Sequence, residues 1–371
     1  MPRAKYKKQK GGRYQTKVWD GTYTGNSKKH YITVYSTVSS TDLERQVERI
    51  KRNVEDQSYV PVCDDTFWEY AKLWRKTFKS AKQKNTQAMY DNIIEKHLSF
   101  LDGVKLQDIT RTHFQMAINN TLDQPRTCQQ ISITFKQIIR AAVTDRKLSA
   151  LAATNICAGI ELPKYVPNEK RPLRPEEKAA IKIADFSPQE KAFVWIILGC
   201  GLRRGETLAL SKFKVNTKSS VLIVNEALAF NGNNPYLKET KNYVTRSVPI
   251  PGYVNTYLKD YLKSIPGEYL FTKRNGDLMT KSSYDKLWAQ ILKKINRAAG
   301  GTDELQVVYD LTAHVFRHNY CSNLCYQIPQ ISIKKIAELM GDTEKMVLEV
   351  YNHMIAEKED PKAAIEAAVG L

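Results

Sequence analysis

The chain has 371 residues, 42% of them hydrophobic, with a formal charge of +18 and a pI near 9.4. That length suits two or three domains, the apolar content excludes a disordered protein, and the charge favours a polyanionic partner, because each neutralised phosphate releases condensed counterions. No apolar run follows the basic N-terminus and none approaches the roughly 18 residues of a membrane span, so the expectation is a cytoplasmic protein without signal peptide or membrane segment.

Residues 1–30 carry nine Lys and Arg against a single acid, Asp20, which is +8 of the total charge. Such a segment reads as a basic arm, with Lys7, Lys8 and Lys10 as candidate nucleic-acid contacts. From Tyr14 to Val38 polar and apolar residues alternate around Asp20-Gly21 and Gly25-Asn26-Ser27, predicting two or three short strands. Thr41 to about Val54 reads as a helix with Leu43, Val47, Ile50 and Val54 on one face. Residues 1–60 are thus expected to form a small sheet-plus-helix module.

Thr66-Phe67-Trp68-Glu69 has the spacing of a capping box, and Phe67, Tyr70, Ala71 and Trp74 follow at helical intervals. Further apolar stripes run through Tyr90, Ile93, Ile94, His97, Leu98 and Leu101, and through Ile131, Phe135, Ile138, Ile139 and Ala142. Residues 63–160 therefore read as an all-α bundle of four or five helices. Lys72, Arg75, Lys76, Lys79, Lys82 and Lys84 crowd its first third; a solvated helix face would explain them, but their density without nearby acids favours contact with a DNA backbone. Pro163, Pro167, Pro172 and Pro175 mark a linker over 161–175, since proline blocks helix and strand alike.

The third unit, 176–371, opens with a helix start at Pro175-Glu176-Glu177 and an apolar helix around 193–198. Strands follow near 221–224 and 245–250, and helices fill most of the rest. The expected fold is mainly α with small β-sheets: sheet-plus-helix module, helical bundle and α+β C-terminal domain. Six cysteines (Cys63, Cys128, Cys157, Cys200, Cys321, Cys325) lack C-x-x-C spacing and are expected to be reduced.

Four places in the third unit put phosphate-competent side chains into apolar surroundings. In Gly201-Leu202-Arg203-Arg204-Gly205-Glu206, a glycine-bracketed turn lets a guanidinium emerge beside a core, where its planar fork suits phosphate oxygens. Glu206 could equally tie that turn down. Lys241 precedes the strand Arg246-Ser247-Val248-Pro249-Ile250 and alone signals little. His314 and Arg317, at i and i+3, share one helix face. His314 and His318 could suggest a metal pair, but H-E-x-x-H is absent and no ligand cluster appears, so no metal is expected. Tyr351 follows a short apolar stretch, the usual setting of a packing tyrosine.

Together, in this order, these residues resemble the active-site signature of the tyrosine recombinases, including integrases of phages and conjugative transposons. The motifs are Gly-Leu-Arg-x-x-Glu at 201–206, a hairpin lysine eight residues before Pro249, His-x-x-Arg at 314–317 and Tyr-x-His at 351–353. The bundle is similar in pattern to that family's core-binding domain, and the N-terminal module to its arm-binding domain. The resemblance implies site-specific cleavage and rejoining of double-stranded DNA through a covalent 3′-phosphotyrosyl link, without cofactor. Tyr351 would be the nucleophile, with Arg203, Lys241, His314 and Arg317 serving the phosphate and the leaving group. It implies a homo-oligomer on DNA, a tetrameric synapse joining element ends and target, and an accessory excision factor as a further partner. A type IB topoisomerase or an inactive DNA-binding factor are the rival readings. The separate module favours the recombinase over the first, and the presence of Tyr351, Arg203 and Arg317 argues against the second.

One position departs from the pattern. Nine residues before the nucleophile the family usually has His or Trp, whereas this chain has Asp342, which when ionised can only accept hydrogen bonds. The expectation is that Asp342 caps the helix carrying Tyr351, accepting near Glu344 or Lys345, or else holds an active-site Arg or Lys in place. The small-residue tail 361–371 is expected to form a helix that docks on a neighbouring protomer or packs on its own.

Overall fold

The computed structural model describes residues 4–9, 11–56, 59–166, 171–240 and 244–356, the last four in backbone only. The chain divides into two compact units, 1–167 and 168–371.

The first unit opens with an antiparallel hairpin, β1 (Tyr14–Tyr23) against β2 (Lys29–Ser36), irregular between Trp19 and Tyr23. Helix α1 (Ser40–Glu55) packs on it, burying Leu43 and Val47 against Val18 and Val34. Two strands form, at the lower end of the two or three expected. Five helices follow: α2 (Phe67–Phe78), α3 (Lys84–Asn92), α4 (Arg111–Asn119), α5 (Pro125–Thr144) and α6 (Ala150–Cys157). The Thr66–Glu69 capping box forms, each partner bonding the other's backbone N–H. The Tyr90–Leu101 stripe is not one regular helix. After α3 it widens into a π turn, in which the Leu98 amide donates to the Ile93 carbonyl at 3.1 Å, and this keeps Ile93, Ile94, Leu98 and Leu101 all buried. Phe135, stacked between Phe67 and Phe114, centres the bundle core.

The second unit begins with α7 (Pro175–Ile183), α8 (Pro188–Cys200) and the short α9 (Arg204–Leu208). Strands β3 (Val215–Asn216), β4 (Val221–Val224) and β7 (Arg246–Pro249) make one antiparallel sheet in the order β3-β4-β7. Between β4 and β7 stands a separate hairpin, β5 (Glu226–Asn231) with β6 (Asn234–Glu239). Helices α10 (Gly252–Ser264) and α11 (Lys281–Ala298) complete a core centred on Phe193, Ile197, Leu222, Val248 and Phe271. Three further helices, α12 (Ala313–Cys325), α13 (Ile333–Met340) and α14 (Glu344–Ala356), form their own cluster around Ile336, Met340 and Val347. Cys128 and Cys200 are buried, Cys157 is half-buried, and all six thiols are free. Among the described residues no helix is long and apolar enough to cross a membrane.

Candidate active site

Two helix ends create the site. Helix α8 stops at Gly201 (φ +65°), where a Cβ would fall 2.2 Å from the Tyr320 ring, so only glycine fits. Helix α13 stops at Gly341 (φ +61°) in a Schellman arrangement, the Asp342 amide donating back to the Ala337 carbonyl at 3.0 Å. Both stops leave carbonyls without helical partners, and arginines take them. Arg317, on α12 and only 1% exposed, donates Nη1 to Gly201 O at 2.6 Å and Nη2 to Met340 O at 2.7 Å. Arg203 donates Nη2 to Gly341 O at 2.8 Å.

Two carboxylates bind this arginine pair. Glu206, on α9 and 2% exposed, accepts the Arg203 backbone amide at 2.8 Å and Arg203 Nη1 at 3.0 Å; Arg317 Nη1 lies 3.9 Å away. The Asp342 Oδ2 atom accepts Arg203 Nη2 at 2.8 Å and Arg317 Nη2 at 3.2 Å. A single oxygen thus bridges both guanidiniums. Asp342 does not cap α14: Thr343 does, its Oγ1 accepting the Met346 amide at 3.4 Å. Asp342 Oδ2 goes to the two guanidiniums, the stronger, charge-assisted partners, while its Oδ1 accepts the Thr343 amide at 3.2 Å.

A third guanidinium, which no motif in the sequence indicated, completes the cluster. Arg246 on β7 meets Glu206 with both ends of its fork, Nη2 to Oε2 at 2.7 Å and Nη1 to Oε1 at 3.1 Å, and donates Nε to Leu339 O at 2.9 Å. A signal existed. Arg246 shares strand parity with buried Val248 and Ile250, and a charge on the inward face of a strand needs a buried partner.

The electrostatics follow from these contacts. Burial pushes the Glu206 carboxyl up, but the bond and charge of Arg246, with the Arg203 amide and Arg317, outweigh it and hold the group below its ordinary value. Burial likewise pushes Asp342 up, and Arg203 and Arg317 outweigh it in the same sense. Burial and the adjacent Arg203 pull Arg317 down to about 10, so it remains a cation at neutral pH.

Arg203, Arg246 and Asp342 face a cleft of about 610 Å³ between β7 and α13, whose rim carries Lys334 and Lys335. His314 is exposed on α12 and shares a small adjoining cavity with Arg317, His318 and Asp342. Tyr351, on α14 nine residues after Asp342, is half-buried against the α12–α13 cluster. Lys10, Lys241, the side chain of His353 and the tail 361–371 lie outside the described residues. Among the described residues no three His, Cys, Asp or Glu side chains come together as a metal site.

In the first unit Lys7, Lys8, Lys72, Lys76 and Lys82 are exposed. The expectation that the bundle cations lack acidic neighbours is corrected for Arg75, which is paired with Asp91 at 2.6 Å and Gln87 at 3.1 Å, its acid supplied one helix later in the chain. Lys79 is half-buried over the rings of Trp74 and Tyr90, and burial lowers its pKa.

Residues 176–358 match the phage integrase family. Among relatives, a tyrosine recombinase XerC-like protein of Caldanaerobacter subterraneus subsp. tengcongensis is 25% identical over 366 residues, covering 86% of this chain and 87% of that one. The tyrosine recombinase XerC of Rickettsia prowazekii is 24% identical, covering 76% of this chain and 90% of its own. Two solved structures share the fold. The Tn1549 transposon integrase in complex with a circular intermediate DNA superposes with a TM-score of 0.66 at 20% identity, over 82% of this chain and 99% of that one. A lambda integrase dimer bound to a COC′ core site gives 0.58 at 16% identity, over 95% of both chains. With a phage integrase family domain over residues 176–358 and relatives aligned along most of its length, the chain is a tyrosine recombinase.

Proposed function

We propose that the chain cuts and rejoins double-stranded DNA at a specific site, integrating or excising a mobile element, with Tyr351 as nucleophile. The observation that carries this reading is the convergence of Arg203 and Arg317 on one oxygen, Asp342 Oδ2, at 2.8 and 3.2 Å. Two guanidiniums sharing an anionic oxygen are arranged as they would be around a non-bridging oxygen of a phosphodiester. Helix α14 carries Tyr351 from the same turn.

In the first step the Tyr351 hydroxyl gives up its proton to water, its oxygen bonds to phosphorus, the bond from phosphorus to the 5′-oxygen breaks, and that oxygen takes a proton. A phenol with an ordinary pKa near 10 is a poor nucleophile unless positive charge shares its site. Arg203 and Arg317 hold the charge that grows on the phosphate oxygens, and His314 adds a donor. Lys241 supplies the proton to the leaving oxygen. The 3′-phosphotyrosyl bond keeps the ester energy, so attack by a 5′-hydroxyl of another strand restores DNA and frees Tyr351 without ATP. The exposed cations of residues 1–60 and of the 63–160 bundle, Lys7, Lys8, Lys72, Lys76 and Lys82 among them, hold the DNA backbone. A homo-oligomer, four protomers in the synapse, brings two sites together, and an accessory factor biases the direction.

The test is covalent capture. Nicked duplexes drawn from the DNA flanking the chain's own gene are incubated with the protein, and any adduct is isolated under denaturing conditions and sequenced. A 3′-phosphotyrosyl link at Tyr351 is expected. An adduct at another residue, or none with any flanking sequence, would refute the reading.

A further inference from the structure

We propose that Arg246 is a positioning residue of the strand-transfer reaction, holding Glu206 so that Arg203 and Arg317 keep their charge for the scissile phosphate. This rests on the reading above, in which that arginine pair grips the phosphate.

Three features of Arg246 support it. All three of its donor nitrogens are engaged, two by Glu206 and one by the Leu339 carbonyl, and it is only 8% exposed. It therefore acts through Glu206 and not by touching DNA. The chain also packs closely around it: a Cβ on Gly341 would stand 2.6 Å from Arg246 Nη1, so any larger residue there would have to push this guanidinium aside.

The third feature is charge. Arg203, Arg246 and Arg317 face two carboxylates, Glu206 and Asp342, which leaves one net positive charge. A phosphodiester carries one negative charge, and attack concentrates it on the non-bridging oxygens. Without Arg246 the cluster is neutral. Glu206 would then be balanced only by Arg203, at 3.0 Å, and Arg317, at 3.9 Å, the groups the phosphate has to recruit.

The experiment compares single-turnover cleavage of two versions of the captured duplex. One has the ordinary scissile phosphate; the other has a methylphosphonate there, which lacks the negative charge. Arg246→Gln is expected to cleave the phosphate about thirtyfold more slowly, less than the loss of a donor in direct contact, and to stay within about threefold of wild type on the methylphosphonate. Adding Asp342→Asn, which returns the net charge to the cluster, should recover most of the lost phosphate cleavage. Arg246→Lys keeps the charge but loses the fork and should fall between, and it decides the comparison if Arg246→Gln does not fold. Equal losses on both substrates, or no recovery with Asp342→Asn, would mean that Arg246 is merely structural and overturn the proposal. Arg317→Gln on the same two duplexes guards the underlying reading. If its loss were not relieved on methylphosphonate, the phosphate-gripping role of the pair would fail, and the role of Arg246 with it.

Discussion

Neutralising Asp342 should weaken the fold and strengthen the grip on DNA at the same time. In the DNA-free chain its Oδ2 atom lies 2.8 and 3.2 Å from the two guanidinium nitrogens that a phosphate has to reach. At about 3 Å and an effective dielectric near 20, each contact has a gross attraction of about 5 kcal/mol. Desolvation and competing water cancel most of that. Arg203 and Asp342 are each about a quarter exposed, so a net worth of about 1–3 kcal/mol for the bridge is the reasonable figure. That energy stabilises the free protein and opposes the phosphate, which must displace the carboxylate. Asp342→Asn should therefore lower unfolding stability by about 1–3 kcal/mol and, by the same energy, tighten binding to the captured duplex about five- to 150-fold. Urea unfolding without DNA and fluorescence anisotropy at fixed salt measure the two sides. Asp342→Ala should lose at least as much stability, and Asp342→His should leave cleavage intact or raise it. A folded Asp342→His protein that no longer cleaves, or an Asn variant neither less stable nor tighter binding, would refute the reasoning.

Tyr351→Phe should keep DNA affinity and abolish the denaturation-resistant adduct, because only the hydroxyl is lost. Arg203→Lys and Arg317→Lys should each slow single-turnover cleavage at least about a hundredfold, as for the removal of one oxyanion donor, since a lysine cannot reproduce the fork. Near-normal cleavage by both would disprove their assignment. Glu206 and Asp342 are held below the ordinary carboxylate range, so the unfolded chain binds more protons and stability rises with pH across the acid range. Their contribution is complete above about pH 5 and is lost as pH falls through the depressed values, so stepwise urea titrations should show a shallower acid slope in Asp342→Asn. Deleting 361–371 should weaken multimer formation on DNA, read by gel shift, while leaving the thermal unfolding of the free protein unchanged.

Much of this site was legible because its residues sit at short, fixed spacings on helix starts and ends. Arg203 and Glu206 are one turn apart, and Arg317 follows His314 on the same face. The fold class and the bundle core were readable for a similar reason, since 3.6-residue periodicity marks a buried face before any partner is known. Asp342 showed as a departure, but its role did not. Whether a carboxylate caps its own helix or reaches a cation depends on which long-range partner arrives, and both arginines come from sequence more than 20 residues away. Arg246 was missed because its partner, Glu206, lies 40 residues earlier on another element. Arg75 shows the same blindness in the bundle, where Asp91 lies 16 residues on.

The arginines of this site also close two helices, for Gly201 O, Met340 O and Gly341 O have guanidiniums as their partners. The groups proposed to meet the substrate therefore also tie these helix ends of the C-terminal unit together. A descendant that gave up catalysis would still gain stability from them, whereas the packing of Tyr351 rests on its ring. Surviving arginines in a diverged copy would report only that the protein folds; the presence of the tyrosine hydroxyl is what would distinguish a working enzyme from a retired one.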